Sequence, residues 1–171
     1  MTSLITTYLE MRSPEQLRPK RSADERFWIG EASERQWQVN RFFYLTVGEG
    51  WRWNERRKWT DDRWREYVAS DKLRTFCAYQ DGSPAGYSEL LRDDEGGVQI
   101  IYFGLLPAFV GRGFGGALLT RVLEEAWKIK PNRVWVHTCN FDHPAALKNY
   151  QARGMVVYEV ETEELEPAAK G

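Results

Sequence analysis

Cysteine and histidine are scarce in this chain, with two of each. Cys77 and Cys139 cannot build the disulfide framework of a small secreted scaffold, and they suit a reducing compartment. Together with His137 and His143 they show no metal-ligand spacing, which argues against a zinc site. No apolar run approaches the roughly 18 residues of a membrane-spanning helix, and the first residues lack a signal-peptide pattern. Excess charge is missing too. The 24 Lys and Arg against 25 Asp and Glu leave a net charge of −1, so nothing draws the chain generally to nucleic acid or anionic membrane. There is no internal repeat and no low-complexity tract. The absences point to a soluble cytoplasmic protein with no metal, nucleic-acid or membrane partner.

What is present is globular: 171 residues, 42% hydrophobic and 29% charged, sized for one domain with one core over residues 1–171. The chain is organised around Val98 to Trp127. Val98 to Leu106, with Ile100, Ile101, Tyr102 and Phe103, reads as a strand buried on both faces. Gly111, Gly113, Gly115 and Gly116 crowd the following turn. Leu118, Leu119, Val122, Leu123 and Ala126 then recur at helical spacing. Glycines entering a helix N-terminus aim unhindered N–H groups at one spot, where the helix dipole favours negative charge. A phosphorylated ligand is the expected occupant.

Three glycine devices compete for this turn. A P-loop requires Lys and Ser or Thr after its last glycine, whereas Ala117 and Leu118 follow Gly116. The dinucleotide pattern G-x-G-x-x-G is matched formally by Gly111, Gly113 and Gly116. However, Leu105 to Val110 is too long for a tight strand-to-helix turn, and Arg133 to Thr138 offers no acidic residue to a ribose. A dinucleotide-binding oxidoreductase is thereby disfavoured. The third device fits best. Val110-Gly111-Arg112-Gly113-Phe114-Gly115 resembles motif A of the GNAT (Gcn5-related) N-acetyltransferase superfamily, Gln/Arg-x-x-Gly-x-Gly/Ala, with Val110 departing at the first position. Downstream, His143-Pro144-Ala145-Ala146-Leu147-Lys148-Asn149-Tyr150-Gln151-Ala152-Arg153-Gly154-Met155 resembles the family frame Asn-x-x-Ala-x-x-x-Tyr-x-x-x-Gly-Phe/Met, with His143 in place of Asn. The resemblance covers roughly residues 72–160.

The resemblance implies an α/β (α+β) fold, GNAT-like, with a mostly antiparallel mixed sheet splayed at its centre and flanked by helices. It implies acetyl-CoA as co-substrate, its pyrophosphate cradled by the amides of Val110 to Gly115, with Gly116 beside them. The backbone of Phe103, Gly104 and Leu105 would pair with the pantetheine arm, and His143 would stand near it. Tyr150 falls where the family places its general acid, also at the cofactor. A backbone N–H of Leu105 or Leu106 would serve the oxyanion. For the general base, the central-strand position that carries Glu in some members is Gln99 here, and Gln cannot accept a proton at neutral pH. Glu89 on the neighbouring strand is the substitute, facing either the cleft or solvent. A water chain, Tyr102 or His137 are the others. His137 and Cys139 share a strand face, but nothing orients the His for a Cys-His nucleophile.

The flanking sequence reads as follows. Residues 1–25 form an extension, with Leu4 to Leu9 a short edge strand and Arg12 to Asp24 a loop. Phe27 to Ala32 is a strand, and Ser33 with Gln36 forms a capping box for a helix to Thr46, ended by Gly48 and Gly50. Gly48 to Arg65 interleaves four Trp with Arg and Lys. It is either an acceptor-site wall or a Trp-anchored loop with snorkelling Arg; Glu49, Glu55, Asp61, Asp62 and Glu66 dilute its charge. Thr60 or Asp61 caps a helix to Ala69. Arg74 to Gln80, Ala85 to Arg92 and the central strand make a meander. Arg133 to Cys139 is a strand, His143 to Ala152 a helix, Met155 to Glu161 the last strand, and 163–171 a frayed tail. The expected activity is direct acetyl transfer to a primary amine, a small amine or amino-acid-like metabolite. A protein lysine or N-terminal acceptor, and a non-catalytic acyl-CoA sensor, are the rivals. A homodimer is possible.

Overall fold

Seven strands join in one sheet in the order β2-β3-β4-β5-β6-β1-β7. The computed structural model describes residues 2–165. The strands are β1 (Thr2–Met11), β2 (Phe27–Glu31), β3 (Leu73–Gln80), β4 (Ser83–Arg92), β5 (Val98–Leu105), β6 (Val134–Cys139) and β7 (Val156–Leu165). The helices are α1 (Trp37–Val47), α2 (Asp61–Ala69), α3 (Phe114–Trp127) and α4 (Ala146–Ala152). Turn chemistry sets the β3-β4-β5 meander: Asp81 and Gly82 both have positive φ between β3 and β4, and Gly96 does so before β5.

Every neighbouring pair is antiparallel except β5 and β6. These two run parallel and pair only at Val98 with Val134 and Gln99 with Trp135. Beyond that point Ile100 to Leu105 has no β6 partner, so the sheet opens at its centre. A bulge sharpens the opening. Glu89 faces Tyr102 while Leu90 faces Ile100, which leaves Ile101 as the extra residue.

The bulge also sorts side chains between the two faces. Ile100 and Phe103 belong to the cluster built on α3, where Leu118, Leu119, Val122 and Leu123 are fully buried. Each such side chain contributes about 1.5–3 kcal/mol. Tyr102 instead joins Phe43, Val47, Cys77 and Tyr87 beneath α1. Central β5 is thus half-exposed along Ile101 to Leu105, not buried on both faces, because its open edge lines a cleft.

The ends of the chain differ most from the sequence reading. The expected short edge strand Leu4 to Leu9 is the ten-residue β1, an interior strand between β6 and β7. Leu9 and Met11 anchor it in the core. Strand β7 runs on to Leu165, so residues 163–165 are ordered against Leu4, Ser3 and Thr2; the rest of the expected tail lies outside the described residues. Ser33 caps nothing, since α1 starts after Gln36 without a side-chain cap. The capping box forms instead at Ser13 with Gln16, over a 3-10 turn with Pro14 at its start. Helix α4 begins at Ala146, leaving His143 in the preceding turn.

Candidate active site

The gap between β5 and β6 opens into a cleft of about 1080 Å³. Its lining includes Gly111, Gly113, Gly115 and Gly116 of the turn, Phe103, Gly104, Leu105 and Tyr150, and a wall of Trp51, Arg52, Trp53, Glu55, Tyr102 and His137. Val110 and His143 also line it. Arg112 and Phe114 do not. The Arg112 guanidinium lies over the rings of Phe109 and Phe114, and Phe114 stacks on Phe27 at 4.3 Å in the core. Only the backbone of these two can serve the turn.

Gly113 is the N-cap of α3 with φ +83°, a left-handed conformation that disfavours other residues. The helix dipole therefore emerges at an uncovered backbone. Two cations that sequence reasoning missed stand there. A Cβ at Gly116 would run into Lys20 and Arg153, and Lys20 Nζ lies 3.7 Å from where a Gly113 Cβ would be. Lys20 is brought in by backbone bonds: its N–H donates to Thr120 Oγ1 on α3 at 2.9 Å, and Arg18 N–H donates to Arg153 O at 3.0 Å. A loop residue remote in sequence gives no local signal of such a place.

Tyr150 is 5% exposed, and its ring centroid lies 5.9 Å from that of Phe103. Burial holds its phenol well above the ordinary range, and Asp142 adds to the effect. The two amides expected for an oxyanion separate clearly. Leu106 N–H donates to Ala85 O at 2.8 Å and is committed to β4. Donors alternate sides along a strand, so Leu105 N–H points toward the gap. Leu106 is thus removed from the expected pair and Leu105 remains. His143 holds its own turn, its Nδ1 accepting from Ala145 N–H at 3.0 Å, with its ring edge-on to Trp51. Asn149, also at the cleft, approaches Gly115.

Glu89 corrects the sequence reading. It faces neither the cleft nor solvent, being 0% exposed. Its carboxylate accepts from Asn40 Nδ2 at 2.9 Å, Arg56 Nη1 at 3.0 Å and Tyr67 Oη at 2.5 Å. The three donors come from α1, the α1–α2 connection and α2. Glu89 ties that unit to the sheet, and both of its oxygens are engaged. Arg56, 7% exposed, is the anchoring arginine of the Trp-rich segment, while Trp51, Arg52, Trp53 and Glu55 form a cleft wall. The segment thus supplies both a buried anchor and part of the cleft lining. Gln99 lines the cleft, and so do His137 and Cys139. Desolvation raises the Cys139 thiol, the reverse of what a nucleophile needs, and buried Cys77 is pushed up to about 11.

A central sheet split between two parallel strands, with a glycine turn and helix N-terminus at the split, is the architecture of an N-acetyltransferase. The family model for the acetyltransferase (GNAT) family matches residues 34–155, and the chain belongs to that family. An uncharacterized N-acetyltransferase of Mycobacterium tuberculosis is 34% identical over 74 residues, 43% of this chain and 47% of the relative. The match thus spans about half the length of that relative. A GCN5-related N-acetyltransferase from Sphaerobacter thermophilus superposes with TM-score 0.68 at 18% identity, over 96% of this chain and 52% of its own. An aminoglycoside acetyltransferase from an uncultured soil metagenomic sample gives 0.65 at 13%, over 87% of this chain and 100% of its own. These likenesses show the shared fold. Among the described residues no helix is long and apolar enough to cross a membrane.

Proposed function

We propose that the chain transfers the acetyl group of acetyl-CoA to a primary amine by direct attack. The observation that carries this is that Tyr150, Leu105 and the glycines of the Gly111–Gly116 turn line one cleft. In this reading Gly113, Gly115 and Gly116 present backbone donors to the pyrophosphate, with Lys20 and Arg153 adding charge. Phe103 to Leu105 offers an open strand edge to the pantetheine arm. Leu105 N–H stabilises the oxyanion, and Tyr150 protonates the departing sulfur. Arg56 is neutralised by Glu89, so a carboxylate on the acceptor would have Arg52 as its partner in the wall.

A second reading, an acyl-CoA sensor without turnover, draws on Gln99 and on the engagement of Glu89. Calorimetric titration with acetyl-CoA, then thiol release against n-butylamine, putrescine, lysine, glycine and a lysine-containing peptide, separates the two. Binding with release on one amine class is the expected result. Binding without release on any would favour the sensor. Gly113→Glu places a carboxylate on the phosphate cradle. It is expected to weaken acetyl-CoA at least roughly tenfold, or about 1.4 kcal/mol; undiminished calorimetric affinity in a folded variant would remove the turn from the site.

A further inference from the structure

Two of the strand positions read as bases cannot take a proton from the acceptor: Gln99 cannot accept one, and Glu89 is buried with both oxygens engaged. We propose that Glu55, on the turn between α1 and α2, receives the acceptor ammonium and takes its proton. This rests on the acetyltransferase reading above.

Glu55 is an exposed carboxylate in the Trp-rich wall of the cleft. Tyr102 Oη donates to its Oε2 at 3.1 Å. Tyr102 lies one residue from Phe103, the ring that meets Tyr150. The proposed base and the proposed acid thus flank the same stretch of β5.

The turn carrying Glu55 is held from several sides. Arg56 N–H donates to Tyr44 Oη at 3.0 Å. Arg57 donates to Trp53 O and Gly48 O, each at 2.9 Å. The Trp53 ring lies 4.7 Å from that of Tyr102. A carboxylate held by the Tyr102 hydroxyl at the mouth of the cleft offers an ammonium a counter-charge.

The charges around it leave that role open. Arg56 reaches over the Tyr102 ring at 4.5 Å, but its charge is matched by Glu89. Arg52 lies over Phe141 and Arg57 is committed to carbonyls. Tyr44 meets Tyr102 edge-on. Across the cleft stand His137 on β6, Asp142 and His143 before α4, and Tyr8 on β1, whose hydroxyl donates to Glu161. Glu55 has no ion-pair partner among the described residues, so its charge is free for a substrate.

The step balances. A proton leaves the ammonium for the Glu55 carboxylate, the freed nitrogen pair forms the bond to the thioester carbon, the C–S bond breaks, and Tyr150 gives its proton to the sulfur. His137 is the competing base. Its ring packs by Tyr8 and Trp135 without a hydrogen bond that orients it among the described residues.

The test compares the parent with Glu55→Gln, Glu55→Asp and His137→Gln. It follows kcat/KM for thiol release, from acid to alkaline pH, on the best amine of the panel above. Glu55→Gln is expected to lose roughly a hundredfold in kcat/KM, the low end for a general base. It should also lose the acid-side limb of the profile, and Glu55→Asp should restore that limb. An unchanged limb in Glu55→Gln, or its loss in His137→Gln alone, overturns the proposal. Calorimetry on each variant checks that acetyl-CoA still binds. A parent that binds acetyl-CoA but releases no thiol on any amine would overturn the acetyltransferase reading itself, and Glu55 as base with it.

Discussion

Tyr150→Phe is expected to lower kcat by about 10²–10⁴-fold, the range of a lost general acid, with acetyl-CoA affinity close to the parent value. The substitution keeps the ring against Phe103 and removes only the hydroxyl. Removing it leaves no protein donor or acceptor stranded among the described residues, so the fold should tolerate the change. Burial raises the Tyr150 phenol, and Asp142 acts in the same direction. A raised value keeps the proton on the oxygen at and above the usual phenol range near pH 10. The acid form is therefore fully present at neutral pH, and no alkaline loss of rate should arise from this group below about pH 10. Thiol release at saturating acetyl-CoA, with a calorimetric titration of the same variant, measures both halves. A kcat within twofold of the parent would strip Tyr150 of the role.

The residues legible from sequence are those whose signal is local. The glycine turn and the Tyr150 frame each sit within one short stretch, where backbone geometry and helical spacing set what can follow. The strands of the meander were legible for the same reason, bracketed by Asp81-Gly82 and Gly96. What escaped was long-range. Strand β1 pairs with β6 and β7, and nothing in its own ten residues says that it is interior. Lys20 acquires its place from its own bond to Thr120 and from that of Arg18 to Arg153. Glu89 misled because β4 is covered on both faces: Ser88, Glu89 and Leu90 are all buried, so alternation cannot tell a cleft-facing carboxylate from an enclosed one. Glu55 looked like one of several acids diluting a basic segment. Its distinction is its hydrogen-bond partner Tyr102 on β5, which only the fold supplies.

Arg56→Met is expected to destabilise the protein by about 3–5 kcal/mol, because it strands the buried Glu89 charge. In a chain of this size the melting temperature should fall by roughly 6–20 °C. Differential scanning calorimetry measures it, and a melting temperature equal to the parent's would deny the pair any such part. Adding Glu89→Gln should return much of the loss, since the uncompensated charge goes while Asn40 and Tyr67 keep a polar partner. The sign of that coupling separates a stranded charge from a simple loss of packing. The pair also reaches the chemistry. Arg56 joins Glu89 on the sheet to the turn that carries Trp53 and Glu55, and its guanidinium lies over the Tyr102 ring. Loosening it frees the acceptor wall while leaving in place the glycine turn, which leads into α3 on the opposite face of the sheet from α1. Arg56→Met should therefore raise KM for the amine more than it weakens acetyl-CoA, measured well below its melting temperature. Equal losses in both would mean that Glu89 and Arg56 hold the fold as a whole and not the acceptor wall in particular.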